Sequence, residues 1–282
     1  MEARLQRRVQ RYGWDKAAAY YERYWQRQLA PAQDRLIELA ALEPGMRVLD
    51  VACGTGLVTF RAAEIVGPSG AVLATDISDE MVKSLSSEAA RRGHANVTAR
   101  RMDAEALEAP DASFDVVLCA LGLMYVPEPV TALREMHRVL APGGRAVAAV
   151  WGARDRCGWA DIFPIVESRV QSDVCPMFFR LGTGDQLRHA FEAAGFADIR
   201  ADRLSSVLRY ESDEEACGAA FAGGPVALAY SRFDGPTRDS AHAEYLASIR
   251  PWKSATGYDV PGEFIVAAGQ SHPTNPASTA SY

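Results

Sequence analysis

The sequence predicts an α/β fold with a mostly parallel sheet covered by helices on both faces, and three observations predict it. From residue 46 onward, strand-like and helix-like stretches alternate. Runs such as MRVLDVA, FDVVLCAL and RAVAAVW are nearly continuously apolar, as strands buried on both faces are. The first of them turns through a Gly-rich segment directly into a helix.

In chain order, residues 1–45 are helical. Tyr21, Trp25 and Leu29 fall on one face at i, i+4, i+8, and Pro31 interrupts the run before a second apolar stretch through Leu36 and Leu42, which predicts two short helices. Residues 46–151 form the core: MRVLDVA, a helix over 58–66, AVLATDI, a helix over 81–92, VTARRMD, FDVVLCAL, a helix over 130–140, and RAVAAVW. Residues 152–184 lose this regularity and are expected to be a lid insertion. Residues 185–208 return to the core with a helix ending at Gly195 and the strand ADIRADRL. Residues 209–258 separate that strand from the run GEFIVAAG in a last strand at 259–269, a length expected of a functional lid, here a helical one. The remainder, 270–282, ends in SHPTNPASTASY and is expected to be disordered.

Composition narrows the function classes. The 282 residues carry 30 Lys and Arg against 36 Asp and Glu, a net charge of −6, so no positive field is available for a nucleic-acid backbone. The first residues, MEARLQRRVQRYGW, lack a signal-peptide core, and no window has the roughly 18 to 20 apolar residues of a membrane span. A cytoplasmic protein is expected. Five cysteines without a CxxC pair predict neither a disulfide framework nor a metal site.

The strongest motif is VLDVACGTG, in which a buried strand reaches the acidic Asp50 and turns through Gly54 and Gly56 into a helix. Glycines there permit positive φ and close approach of a ligand beyond the strand end. A nicotinamide or flavin dinucleotide would want a third glycine where Thr59 stands, and Asp50 would repel its pyrophosphate. S-adenosylmethionine (SAM) has no phosphate and carries an ammonium and a sulfonium, which a carboxylate favours. Asp76 closes the next strand where an acidic side chain accepts hydrogen bonds from ribose hydroxyls, and Asp103 ends the third strand within reach of an adenine amino group.

In VLDVACGTG, ATDISDEM, RMDAEAL, FDVVLCALGLMYV and LREMHRVLAPGGRAVAAVW, residues 46–151 resemble the SAM-binding core of class I methyltransferases, nearest the ubiquinone and menaquinone C-methyltransferase-like small-molecule branch. The resemblance implies a Rossmann-like seven-stranded sheet with an antiparallel last strand. It also implies that Gly54, Gly56 and the nearby Asp50 meet the methionine part of SAM and that Asp76 holds the ribose. Ile77 and Met81 would flank the adenine, Asp103 and Ala104 would meet its amino edge, Ala120 would line the cofactor, and Tyr21 would close over it from the first helix.

The methyl acceptor is less legible, because displacement at a sulfonium chiefly demands alignment and a general base is optional. No catalytic residue is assigned. Trp25, Tyr125 and Trp159 are candidates for an apolar acceptor pocket suited to an aromatic or lipophilic small molecule. The expected activity is transfer of a methyl group from SAM to O, N, C or S, with S-adenosylhomocysteine as product. A non-catalytic SAM-binding accessory subunit, thiol-assisted methylation of arsenite through Cys157, Cys175 and Cys217, and homo-oligomerisation stay open.

Overall fold

The computed structural model describes residues 2–170 and 178–272. A helix α1 (Ala3–Ala40) precedes the alternating core β1 (Arg47–Val51), α2 (Thr59–Val66), β2 (Ala71–Asp76), α3 (Asp79–Arg92), β3 (Val97–Arg101), β4 (Phe114–Ala120), α4 (Pro129–Val139) and β5 (Leu140–Trp151). After the short α5 (Ile162–Glu167) come α6 (Gln186–Ala193) and β6 (Ala197–Tyr210). The helices α7 (Asp213–Cys217), α8 (Ala227–Tyr230) and α9 (Gly235–Ile249) then lead to β7 (Lys253–Ser254) and β8 (Gly257–Gln270).

The sheet order is β3-β2-β1-β4-β5-β8-β6, with the two-residue β7 hairpinned onto β8. The strands β1 to β5 pair in parallel, whereas β8 runs antiparallel to both of its neighbours, Trp151 standing opposite Phe264 and Ala201 opposite Ala267. The seven long strands and the antiparallel last strand match the expectation; β7 adds an eighth that two residues of sequence do not announce. Both faces are covered, since the consecutive residues Val116, Val117, Leu118 and Cys119 of β4 are all buried. A polar residue on either face there would have to be desolvated, which explains the unbroken apolar run.

The two short helices expected before the core are one helix of 38 residues, with Pro31 inside it. Proline removes one hydrogen bond and crowds the carbonyl four residues earlier, but its own side is exposed while Leu29, Ala32 and Leu36 around it are buried. Burial on the inner face outweighs the local cost. The helix also begins eighteen residues before Tyr21, the first of the periodic residues, and its first half is held by polar contacts described below. The later strands exceed their expected bounds: β6 runs to Tyr210 and β8 starts at Gly257, the two pairing as far as Tyr210 opposite Tyr258. Between Asp213 and Ile249 the segment is largely helical, and α8 with the turn before it packs on α1. Against the expectation of a disordered 270–282, Gln270 ends β8 and Ser271 donates to the Ala141 carbonyl at 2.7 Å, while residues 273–282 lie outside the described residues. Among the described residues no helix is long and apolar enough to cross a membrane.

Because Pro31 is exposed, replacing it removes strain without opening a cavity. Pro31→Ala is expected to stabilise the fold by about 1 to 3 kcal/mol, read as a higher urea midpoint at unchanged slope. An unchanged or lower midpoint would show that α1 accommodates the proline without cost.

Candidate functional site

The chain leaves β1 toward β2 on one side and leaves β4 toward β5 on the other, so a crevice opens above their carboxyl ends. A cleft that is partly open to solvent occupies it. Tyr21, Gly54, Asp76, Ile77, Met81, Asp103, Ala104, Ala120 and Tyr125, all singled out from sequence, line it together.

Asp76 is buried, and its two oxygens accept from the Gly54 and Ser78 amides at 2.9 Å each. Each oxygen keeps a further lone pair for a ligand. Burial pushes its pKa up to about 6, the amide hydrogen bonds opposing the shift. Gly54 has φ +56°, which orients its amide toward Asp76 without a side chain intruding on the cleft. The next helix is capped by Ser78, whose hydroxyl accepts from the Met81 amide at 3.1 Å and so fixes the start of α3 at the rim.

Asp50 and Gly56 sit elsewhere than the cleft wall. Asp50 lies behind the glycine turn, one oxygen accepting from Thr59 Oγ1 at 2.6 Å and the other without a partner, and burial raises its pKa to about 7. Thr59, which breaks the dinucleotide pattern, is thus the partner of this carboxylate. Gly56, with φ +100°, faces an adjoining polar groove with Thr55 and Arg61.

The sequence reading missed most of what α1 supplies to the cleft. Arg7, Gln10 and Trp14 line it beside Tyr21. The spacing 7, 10, 14, 21 is a helical stripe, but it is visible only once the helix is known to start at Ala3. Arg7 pairs with Asp103 at 2.9 Å and Glu105 at 2.6 Å, Arg11 pairs with Asp79, and Asp15 accepts from Ser78 Oγ at 2.6 Å. These contacts hold the helix across the strand ends. Ala52 and Leu121, also missed, face the cleft with φ +55° and +62°. Strained non-glycine backbone of this kind concentrates at functional sites. Between them Gly122 has no room for a side chain, since a Cβ would lie 2.4 Å from that of Ala52.

A second, smaller cavity adjoins the cleft and shares Trp14, Tyr21, Leu121 and Tyr125 with it. Here Trp25, Trp151, Trp159 and Phe178 converge, with ring centroids 4.8 Å apart for Trp151 and Trp159. All three aromatic candidates, Trp25, Tyr125 and Trp159, therefore line it. Of the segment 209–258, expected to form most of such a pocket, only Gly224 and Pro225 reach it among the described residues. Cys157 and Cys217 are buried thiols whose pKa values burial raises to about 12, which disfavours the thiolate a metalloid needs, and Cys175 lies outside the described residues.

Comparison with known proteins shows what part of this chain is similar to. Residues 42–172 match the model of a methyltransferase domain. The ubiquinone/menaquinone biosynthesis C-methyltransferase UbiE of Ectopseudomonas mendocina is 50% identical over 110 residues, covering 39% of this chain and 43% of that protein. The nocamycin O-methyltransferase of Saccharothrix syringae is 37% identical over 132 residues, 47% of each chain. The chain thus matches less than half the length of these relatives. The crystal structure of YcgJ from Bacillus subtilis shares the fold at a TM-score of 0.61 and 19% identity, covering 86% of this chain and 99% of that one. A carboxylate-edged crevice at the β1/β4 switch accompanies these matches, and residues 42–172 are similar to a methyltransferase domain and, over 110 residues, to a ubiquinone/menaquinone C-methyltransferase.

Proposed function

We propose that this chain is an enzyme that transfers the methyl group of SAM to an O, N, C or S atom of a small aromatic or lipophilic molecule. The observation that carries the reading is the continuity of a carboxylate-edged cleft with an aromatic cavity that has no charged residue among its described lining. Bound SAM supplies an electrophilic methyl group and leaves as S-adenosylhomocysteine.

The residues suit that group. On this reading Asp76 accepts from the ribose hydroxyls, and Ile77 and Met81 pack on the adenine. Asp103 and Ala104 meet the adenine amino edge, Arg7 already holding one Asp103 oxygen. The Gly54 turn and Ala120 approach the methionine part, with Tyr21 and Trp14 closing from α1. Asp50, with one buried oxygen unpartnered, contributes negative potential from behind the turn. In the adjoining cavity Trp25, Tyr125 and Trp159 exclude water and align the acceptor, which is the main demand of an in-line displacement. The segments 152–184 and 209–258 act with residues 1–45 as the cover of this site. A cytoplasmic setting accompanies the proposal, since the four described cysteines are unpaired and buried. The acidic net charge weighs against a nucleic-acid acceptor.

Incubation with SAM and a panel of aromatic acceptors should yield S-adenosylhomocysteine. Binding of SAM with no turnover across the panel would favour a non-catalytic accessory subunit instead. Asp76→Ala is expected to weaken SAM binding about tenfold to a hundredfold, the value of charge-assisted hydrogen bonds. Unchanged affinity by calorimetry would remove Asp76 from the site.

The raised pKa values of Asp50 and Asp76 set a pH dependence. Burial raises both pKa values, so the contribution of the neutral carboxyls to stability is fully present below the unfolded carboxylate pKa of about 4 and is lost as pH rises from there through about 6 to 7, where negative charge is forced onto the pair. A cationic ligand favours the ionised forms. SAM affinity should therefore rise between about pH 5 and about pH 8 while the melting temperature of the free protein gains nothing from this pair. A flat affinity profile would show that neither carboxylate senses the ligand.

A further inference from the structure

Arg7, in the first turns of α1, lines the cleft and is held by two acids that follow β3. Its Nε lies 2.9 Å from Asp103 Oδ2 and 2.7 Å from Glu105 Oε2, and its Nη2 lies 2.6 Å from Glu105 Oε2. The two acids are not equivalent. The Glu105 side chain is 3% exposed and its other oxygen accepts from the Glu128 amide at 3.0 Å, so both of its oxygens are occupied away from water. That pair anchors the guanidinium. The Asp103 side chain, which also lines the cleft, is 30% exposed, and an ion pair that open to water adds little to the hold on the helix. What the second contact does is fix a carboxylate. Asp103 Oδ1 accepts from the Glu105 amide at 3.0 Å, so with Arg7 on Oδ2 each oxygen has one donor and keeps a lone pair.

We propose that Arg7 is a positioning residue for cofactor selection: while α1 lies across the strand ends, its guanidinium holds the Asp103 carboxylate in the orientation that accepts from the adenine amino group. The inference rests on the methyl-transfer reading, which sets SAM in the cleft with Asp103 at the adenine amino edge. It goes beyond that reading by making recognition of the edge depend on α1. Without Arg7, a partly exposed carboxylate turns about its own bond, and a ligand has to order it at a cost in affinity. With Arg7 in place the ordering precedes the ligand. A purine carrying an oxygen where adenine carries its amino group sets two acceptors face to face at the fixed carboxylate, which is how such a site rejects it. Coupling between two events is reciprocal, so an adenine that engages Asp103 also favours the docked position of α1 through the same guanidinium. Arg7 touches no reacting atom in this scheme; it acts through Asp103.

The test compares, by calorimetry, S-adenosylhomocysteine with S-inosylhomocysteine, in which an oxo group replaces the adenine amino group. The intact chain should bind the first about tenfold to a hundredfold more tightly, the value of a hydrogen bond to a charged group. Arg7→Ala should lower that ratio about tenfold, chiefly by weakening S-adenosylhomocysteine, and Arg7→Lys, which keeps the charge but not the planar fork, should restore part of it. Asp103→Ala should lower the ratio as far, and adding Arg7→Ala to it should lower the ratio no further, as for two residues acting as one unit. A ratio near one for the intact chain, equal weakening of both ligands by Arg7→Ala, or fully additive losses in the double variant would overturn the proposal while leaving the methyl-transfer reading in place. A second readout needs no variant to fold. In the intact chain saturated with each ligand in turn, amide hydrogen exchange over residues 3–14 should be slower with S-adenosylhomocysteine than with S-inosylhomocysteine. Equal exchange with both would also overturn the proposal. Failure of the intact chain to bind S-adenosylhomocysteine at all would sink the methyl-transfer reading, and the proposal with it.

Discussion

The chain runs out of β1 in one direction along the sheet and out of β4 in the other, and the gap this leaves above their carboxyl ends is the constraint on which the rest of the site depends. No helix from the alternating core can cover that gap, because each connection carries its helix away from it. The strand ends therefore present Asp76, Ala52, Ala120 and Leu121 to whatever is brought across them. The long helix α1 is brought across them. Its second half is held as core helices are, by burial of Leu29, Ala32 and Leu36, and its first half by the ion pairs of Arg7 and Arg11 with the rim.

This division gives the two ends of α1 different strengths. Apolar burial contributes steadily, whereas ion pairs with half-exposed partners such as Asp79 contribute little net stability and are screened by salt. The half of α1 that crosses the strand ends is also tied by the Arg7 pair with Glu105, whose side chain is nearly buried, so it is held by one shielded and one half-exposed contact rather than by an apolar face.

Below the roof, electrostatics and apolarity are separated along the crevice. Two buried carboxylates, Asp50 and Asp76, lie at or behind the strand ends, and their raised pKa values show that the free protein holds unfavourable negative charge there. Beyond Tyr21 and Trp14 the lining becomes aromatic. On the proposed reading a cation is favoured at one end and an uncharged ring at the other. The strain at Ala52 and Leu121 and the tight contact of Gly122 fall at the boundary between the two, where backbone must come closest to the ligands.

By itself the sequence determined the parallel core and most of the cofactor cleft. Continuous apolar runs and the VLDVACGTG turn are local patterns, and acidic residues at successive strand ends converge wherever parallel strands are aligned, so Asp76, Asp103 and Ala120 were legible without coordinates. Only the tertiary structure decided what α1 does. Its first half carries little apolar periodicity, because its partners Asp79, Asp103 and Glu105 are distant in sequence, and Pro31 reads locally as a break that long-range burial overrides. Hence Arg7, Gln10 and Trp14 escaped notice. Tertiary packing likewise set Asp50 behind the turn against Thr59 and gathered Trp25, Tyr125, Trp151 and Trp159 from four separate parts of the chain into one cavity. Period and turn chemistry are written in neighbouring residues; a pocket wall is written in residues whose only relation is the space they share.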